Sequence, residues 1–282
     1  GVPPLPLTAE QTKQVIEHLQ APPAGEEEFL LTLLSQRVPP GVDQASKVKA
    51  DYLASIAKRE QVCPVISPNM AVDMLVAMLG GYNIEPLIDL LDDQQLGEQA
   101  ANGLAETILI FDAFEKVAQK AESNSNAGTV IESWAQGDWF LNRPELENGI
   151  KLTVFKVDGE TNTDDLSPAS EAWSRPDIPL HAQAMLVKRV DSPLTTITKL
   201  KQLGNPLVYV GDVVGTGSSR KSATNSLLWH IGADIPNVPN KRAGGFCMGG
   251  KIAPIFFNTL EDAGALPALR SSPSRCPGPA VR

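Results

Sequence analysis

Residues 207–232 read LVYVGDVVGTGSSRKSATNSLLWHIG, an apolar run that meets a glycine-rich turn and then a helical pattern. Val208, Tyr209 and Val210 are β-prone and predict a buried strand; Ser222, Ala223, Asn225, Ser226 and the stretch from Leu227 to Ile231 predict a helix that stops at Gly232. Gly215 and Gly217 stand at the junction, where glycine permits positive φ and lets a ligand approach the backbone closely. The free N–H groups of the helix's first turn then point at an anion. Ser218, Ser219 and Arg220 fall at that point, so two hydroxyls and a guanidinium sit beside bare amides, a setting for a carboxylate gripped through two parallel bonds. The loop has neither the Lys-Ser/Thr ending of a P-loop nor the full dinucleotide fingerprint, which leaves nucleotide binding weakly supported. A plain turn with a serine N-cap is the competing account.

A second stretch lowers that alternative. Residues 159–175, GETNTDDLSPASEAWSR, again combine carboxylates, hydroxyls and an arginine in a turn-rich segment, here after the strand-like Leu152 to Val157. Three features stand in order: Thr-Asp-x-x-Ser at Thr163, Asp164 and Ser167, Gly-x-Gly-Ser-Ser-Arg from Gly215 to Arg220, and NKRAGGFCMGGKIAPIFFNT from Asn240 to Thr259. Together they resemble the mobile, or swivel, domain of the aconitases, in the bacterial B-type family. The resemblance runs from about Thr8 to Pro267, and the three motifs in this order, behind a helical leader, are highly specific.

Composition sets the outer limits. A chain of 282 residues with 42% hydrophobic content has room for two domains with buried cores. No apolar run approaches the roughly 18 residues that span a bilayer. The start, GVPPLPLTAEQ, lacks a basic region followed by an apolar stretch, so neither membrane insertion nor export is expected. Cys63, Cys247 and Cys276 are odd in number and far apart, which argues against a disulfide framework and a CxxC metal site and favours a reducing cytoplasm. Residues 1–150 hold 22 acids and 9 bases, whereas residues 151–282 hold 11 and 15, and this shift marks a domain boundary. The basic half suits an anionic substrate; the acidic half would repel a phosphate backbone.

The first half reads as helices. Thr8 to Gln11 is a capping-box pattern that opens a helix with Val15, Ile16 and Leu19 on one face, closed by Ala21 to Gly25. A second helix begins with Glu26, Glu27 and Glu28 and stops at Val38 to Gly41. Further helices are expected at about 43–59, 68–79 and 98–121, with shorter pieces at 86–91 and 128–139. Short amphipathic helices joined by brief turns suggest a stacked array. Gly80 to Asn83 reads as a C-cap with Tyr82 packing inward, and Asp92-Asp93 as solvated surface. His18 has no ligand partner at a suitable spacing, and no catalytic residue is placed before Asn142. Trp134, Trp139, Phe140 and Leu141 form either a seam for the second domain or an ordinary helix core.

The second half alternates strand and helix. A helix is expected at Leu180 to Arg189, a connection at Ser192 to Thr198, a short apolar element at Ile252 to Phe257 and a final turn at Thr259 to Ala263. The paired glycines Gly244, Gly245, Gly249 and Gly250 mark either a second anion loop or, more commonly, close backbone packing. His181 and His230 read as structural and Cys247 as a buried thiol. The fold class is therefore α + α/β. By resemblance, it is a HEAT-like helical array over 1–150 followed by an incomplete swivelling β/β/α domain over 151–267. Residues 268–282, rich in Pro, Ser and Arg, read as a disordered tail outside the resemblance, as after a truncation or frame change, with no role for Cys276.

The resemblance implies a function. Aconitases interconvert citrate and isocitrate through cis-aconitate by removing and re-adding water, with a [4Fe-4S] cluster whose open iron holds the substrate. It implies that Ser218 is the base for the carbon-bound proton. Ser219 and Arg220 bind substrate carboxylate, Arg175 is a second carboxylate grip, Asp164 positions active-site groups, and Ser167 and Gly217 support their loops. The cluster cysteines belong to domains that would follow this chain, so the chain binds no metal and is expected to be inactive alone. Two other classes stay open: an interaction module that forms a homodimer through the helices, and the messenger-RNA binding known for apo-aconitases, for which no aromatic-and-basic stripe is present.

Overall fold

The computed structural model describes residues 2–78, 80–107, 113–137, 141, 148–235 and 238–269. It divides into two compact units, one essentially Pro6–Leu146 and the other Glu147–Ile235 with the chain from Asn240 on. The first is helical and the second is built on a parallel sheet, which gives the α + α/β class.

The helical unit contains α1 (Ala9–Gln20), α2 (Glu27–Gln36), α3 (Gln44–Ala57), α4 (Pro68–Val76), α5 (Ile84–Leu90), α6 (Gly97–Ala105), α7 (Phe114–Ala121) and α8 (Ser125–Gln136). Helix α1 starts where local chemistry dictates: the Thr8 hydroxyl accepts the Gln11 N–H at 3.2 Å, and the Gln11 side chain accepts the Thr8 N–H at 3.0 Å. Val15 and Leu19 of α1 are buried in one apolar cluster with Leu34, Leu53, Leu75 and Leu104 from later helices. Contacts join helices near in sequence: α1 meets α2 and α3, α3 meets α4, and α6 meets α4, α5 and α8. Tyr82 packs partly buried against this core after the positive-φ pair Gly80 and Gly81.

The single helix expected at 98–121 is instead α6 and α7. Thr107 explains the stop of α6, since its hydroxyl bonds back to the Gly103 carbonyl at 2.8 Å and its N–H turns to the Leu104 carbonyl at 3.0 Å. Trp134 belongs to the helix core: it packs partly buried, donates to the Leu104 carbonyl at 3.1 Å and lies 6.1 Å from the Phe114 ring. Leu141 is exposed, and Trp139 and Phe140 lie outside the described residues.

In the second unit β1 (Thr153–Asn162), β2 (Leu207–Thr216), β5 (Phe246–Ile252) and β6 (Leu266–Leu269) form an all-parallel sheet in the order β1-β2-β5-β6; β3 (Ala233–Ile235) and β4 (Val238–Ala243) make a separate pair. Phe155, Tyr209 and Cys247 lie in one register row. They share a core with Leu227 and Leu228 of α12 (Arg220–Ile231) and with Phe256 and Leu260 of α13 (Pro254–Asp262). Between β1 and β2 the chain makes the short helices α9 (Thr163–Leu166) and α10 (Ile178–His181), a 3-10 turn at Ala182–Ala184, and α11 (Pro193–Lys201).

Several expectations are corrected here. The helix at Leu180 to Arg189 does not form: the backbone leaves helical geometry at Met185, Leu186 takes φ +62°, and the Leu186 N–H bonds to the Asp165 carbonyl at 2.8 Å. Ser192 to Thr198 is largely helical, because Pro193 supplies a preset first position and Lys199 and Lys201 suit the last turn. Ile252 to Phe257 is not one element, since Ile252 ends β5 and Pro254 opens α13, which also contains Thr259 to Asp262. Strand β6 carries Ala268 and Leu269 past the boundary expected at Pro267, while Arg270 onward, with Cys276, lies outside the described residues. Gly249 and Gly250 sit within β5, where an added Cβ would press on Ile252 and on the Asp212 carbonyl, so close packing accounts for them. No described helix is long and apolar enough to cross a membrane.

Candidate functional site

Strands β1 and β2 run parallel with Asn162 opposite Thr216, so the segments that follow them, 163–175 and 217–220, leave the same edge of the sheet. In open α/β sheets, ligands bind outside the carboxyl ends of the strands. The sequence folds this way locally for identifiable reasons. The Asn162 side chain caps α9 by accepting the Asp164 and Asp165 N–H groups at 2.9 and 2.8 Å, and Asp165 returns a bond to the Asn162 N–H at 3.0 Å. On the other strand Gly215 has φ +81°, and a Cβ there would overlap the Phe256 ring. Gly217 has φ +111°, and its missing side chain makes room for the Thr163 hydroxyl.

The serine loop ends at α12. Ser218 is exposed, while Ser219, in the N-cap position, and Arg220, the first helical residue, are half-buried. Ser219 makes no side-chain cap bond. Its N–H donates to the Thr163 hydroxyl at 3.2 Å, and the Arg220 N–H donates to the Ser218 carbonyl at 2.9 Å. The expectation of bare amides is thus corrected at these two positions: among the described residues, Lys221 and Ser222 supply the first-turn N–H groups that no protein carbonyl or cap takes up. The helix still presents donors and a positive dipole end beside two serine hydroxyls and a guanidinium.

On the facing loop Asp164 is exposed and accepts the Ala169 N–H at 2.8 Å, which closes the turn after α9. Ser167 is 1% exposed, and its hydroxyl lies 3.3 Å from Nε2 of His181, which also meets the Pro168 carbonyl at 3.1 Å. His181 and Ser167 therefore brace the loop. Arg175 donates from Nε to Glu171 at 3.1 Å and from Nη1 to the Leu180 carbonyl at 3.5 Å. Its Nη2 has no partner among the described residues. Thr163 stands in the Thr-Asp-x-x-Ser motif, but nothing in the sequence marks its contact with Ser219 or that of Glu171 with Arg175; a threonine directly before a turn aspartate is a common pattern.

Two titratable groups elsewhere in the sheet unit, Cys247 and His230, are buried. Burial pushes the Cys247 thiol up to about 12, and burial lowers His230 to about 4, with its Nε2 held 2.8 Å from the Ala182 carbonyl. Among the described residues no group of three His, Cys, Asp or Glu side chains is placed to hold a metal ion. Cys63 and Cys247 are both buried and unpaired. An iron–sulfur cluster takes several convergent thiolates, so these residues do not fit one.

Residues 1–140 match the family described as Aconitate B N-terminal domain, and residues 152–275 match the one described as Aconitate hydratase 2 N-terminus. The chain is 60% identical over 278 residues to aconitate hydratase B of Salmonella typhimurium and to that of Escherichia coli, and 53% identical over 271 residues to that of Helicobacter pylori. Each match takes in 95% of this chain and 32% of the relative, so the chain spans about a third of the length of these curated relatives. The chain belongs to the aconitase B family and corresponds to its N-terminal region. The match at residues 152–275 also runs beyond Pro267, so the resemblance does not stop there.

Proposed function

We propose that this chain supplies the base and the carboxylate grips of an aconitate hydratase that interconverts citrate and isocitrate through cis-aconitate, with the iron–sulfur ligands provided by the part of such a protein that this chain does not span. The observation that carries the reading is the convergence of the two motif loops at the carboxyl ends of β1 and β2, tied by the bond from the Ser219 N–H to the Thr163 hydroxyl.

Ser218, exposed at the loop tip, takes the carbon-bound proton of the substrate. A serine hydroxyl is far too weak an acid to ionise unaided, so its alkoxide needs positive potential that is already in place. The Arg220 guanidinium and the Lys221 and Ser222 amides at the start of α12 are the sources in this chain. The Ser219 hydroxyl and Arg220 hold one substrate carboxylate, and Arg175 grips another through its Nη2 end, with Glu171 and the Leu180 carbonyl fixing the plane of the guanidinium. Asp164, Ser167 and Gly217 keep the two loops in place. The helical array of 1–150 and the sheet unit of 151–267 are the two functional parts, and the buried free thiols suit a reducing cytoplasm.

The test compares the chain alone with the chain joined to the remaining two-thirds of a curated relative. The 282-residue chain should give no aconitate hydration after treatment with iron and sulfide, and the joined protein should turn over. Turnover, or a protein-bound cluster absorption band, in the chain alone would contradict the division of labour.

A further inference from the structure

We infer that Thr163 is a positioning residue that locks the serine loop to the aspartate loop. The inference rests on the reading of Ser218 as the base and specifies what holds that serine in place. Three observations meet at this side chain. Its hydroxyl accepts the Ser219 N–H at 3.2 Å across 56 residues of sequence. It is 2% exposed, so water does not compete freely for that bond. Gly217 passes so close that any Cβ there would collide with the Thr163 hydroxyl oxygen, which means that the loop is shaped around this group.

The consequence is specific. An N-cap amide ordinarily faces water or a ligand. Here the Ser219 amide is consumed by the protein, and the backbone between Gly217 and Arg220 is pinned at its midpoint, so the Ser218 and Ser219 hydroxyls emerge in fixed directions. The same residue also fixes the facing loop, because the Thr163 carbonyl accepts the Ser167 N–H at 2.9 Å. Thr163 therefore sets the distance between the proposed base and the groups around Asp164 without touching the substrate. Misplacing a reacting group by about 1 Å is enough to cost a hundredfold in rate.

The experiment uses amide exchange measured by NMR on the full 282-residue chain, with Thr163→Val and Thr163→Ser as variants. The parent should protect the Ser219 N–H, Thr163→Val should speed its exchange by about tenfold, the factor one hydrogen bond of ordinary net strength carries, and Thr163→Ser should stay near the parent. In the protein joined to the rest of a relative, Thr163→Val should lower kcat by about 10- to 100-fold with KM changed far less, and Thr163→Ser should restore it. An unprotected Ser219 amide in the parent overturns the lock even if the valine variant does not fold. Loss of protection with kcat unchanged overturns the positioning role. Ser218→Ala at parental kcat would instead sink the base assignment and leave the exchange result standing.

Discussion

In the helical unit, several charged pairs join side chains far apart in sequence, Lys58 with Asp89 at 2.8 Å, Arg59 with Asp93 at 2.6 Å, Lys116 with Glu85 at 2.5 Å and Lys120 with Asp92, while Lys13–Glu10 and Lys47–Asp51 lie within single helices. In the sheet unit, polar groups gather at one edge, and several hold backbone rather than each other: Asn162 caps α9, Asp164 closes a turn, and Thr163 takes the Ser219 amide. The first arrangement spreads weak, solvent-screened contacts over a surface. The second concentrates directional bonds where glycines leave no slack. Stacked helices tolerate such spreading because each contact is replaceable; bonds that hold loop backbone across the sheet edge have no such substitutes.

That contrast can be broken most forcefully at Gly215. Gly215→Val would place a β-branched side chain at φ +81° against the Phe256 ring, and overpacking plus a left-handed backbone should cost about 3 kcal/mol or more in urea unfolding of the sheet unit. Unfolding of the helical unit should be unaffected. A loss below about 1 kcal/mol would mean that the loop has more slack than its geometry indicates.

Lys49 gives the next effect, with the opposite sign. It is 4% exposed in α3, donates to the Ser35 carbonyl at 3.2 Å, and burial lowers its pKa to about 8 from an ordinary 10.5. Between those values the unfolded chain binds a proton that the folded chain does not, so stability rises as pH climbs from about 8 to about 10.5, and the cost of the buried ammonium is fully present below pH 8. Lys49→Met should stabilise the helical unit by about 2 kcal/mol at pH 7 and flatten that rise. A pH profile equal to the parent's would show that Lys49 is hydrated in solution.

Arg59→Ala is the smallest test. Arg59 and Asp93 are partly exposed, so the substitution should cost less than about 1 kcal/mol, with most of it screened by salt. The Arg59 hydrogen bond is the main cause of the lowered Asp93 pKa, and a depressed carboxylate contributes stability above its unfolded pKa that is lost as pH falls through the folded one. The variant should therefore lose part of the parent's acid sensitivity. A cost above about 2 kcal/mol would show that the helical surface is not a set of replaceable pairs.

What the sequence made legible was local. The Thr8 capping box needs only Thr8 and Gln11, and the α12 start needs only glycines followed by serines, so both are readable in a short window. The family motifs likewise placed Asp164 and Ser218 on loops that the strand register brings to one edge. What stayed hidden was set across the chain. The bond that occupies the Ser219 amide comes from 56 residues away, and no local pattern distinguishes that amide from a free one. The break between α6 and α7, and the turn at Leu186, also escaped, because Thr107 and Leu186 stop helices through bonds to Gly103 and Asp165 that propensity does not express. Asp92 and Asp93 read as solvated surface, and Asp92 is exposed; what the sequence does not show is that they pair with Lys120 and Arg59, each more than 25 residues away.

We propose that Ser218, exposed two residues ahead of α12, is a base rather than an ordinary turn residue. The most direct measurement is the steady-state kinetics of Ser218→Ala in the protein completed with the remainder of a curated relative. The substitution should lower kcat by about 10²- to 10⁴-fold, with KM within about threefold and the sheet unit's stability within about 0.5 kcal/mol of the parent. A kcat within about twofold of the parent would contradict the proposal.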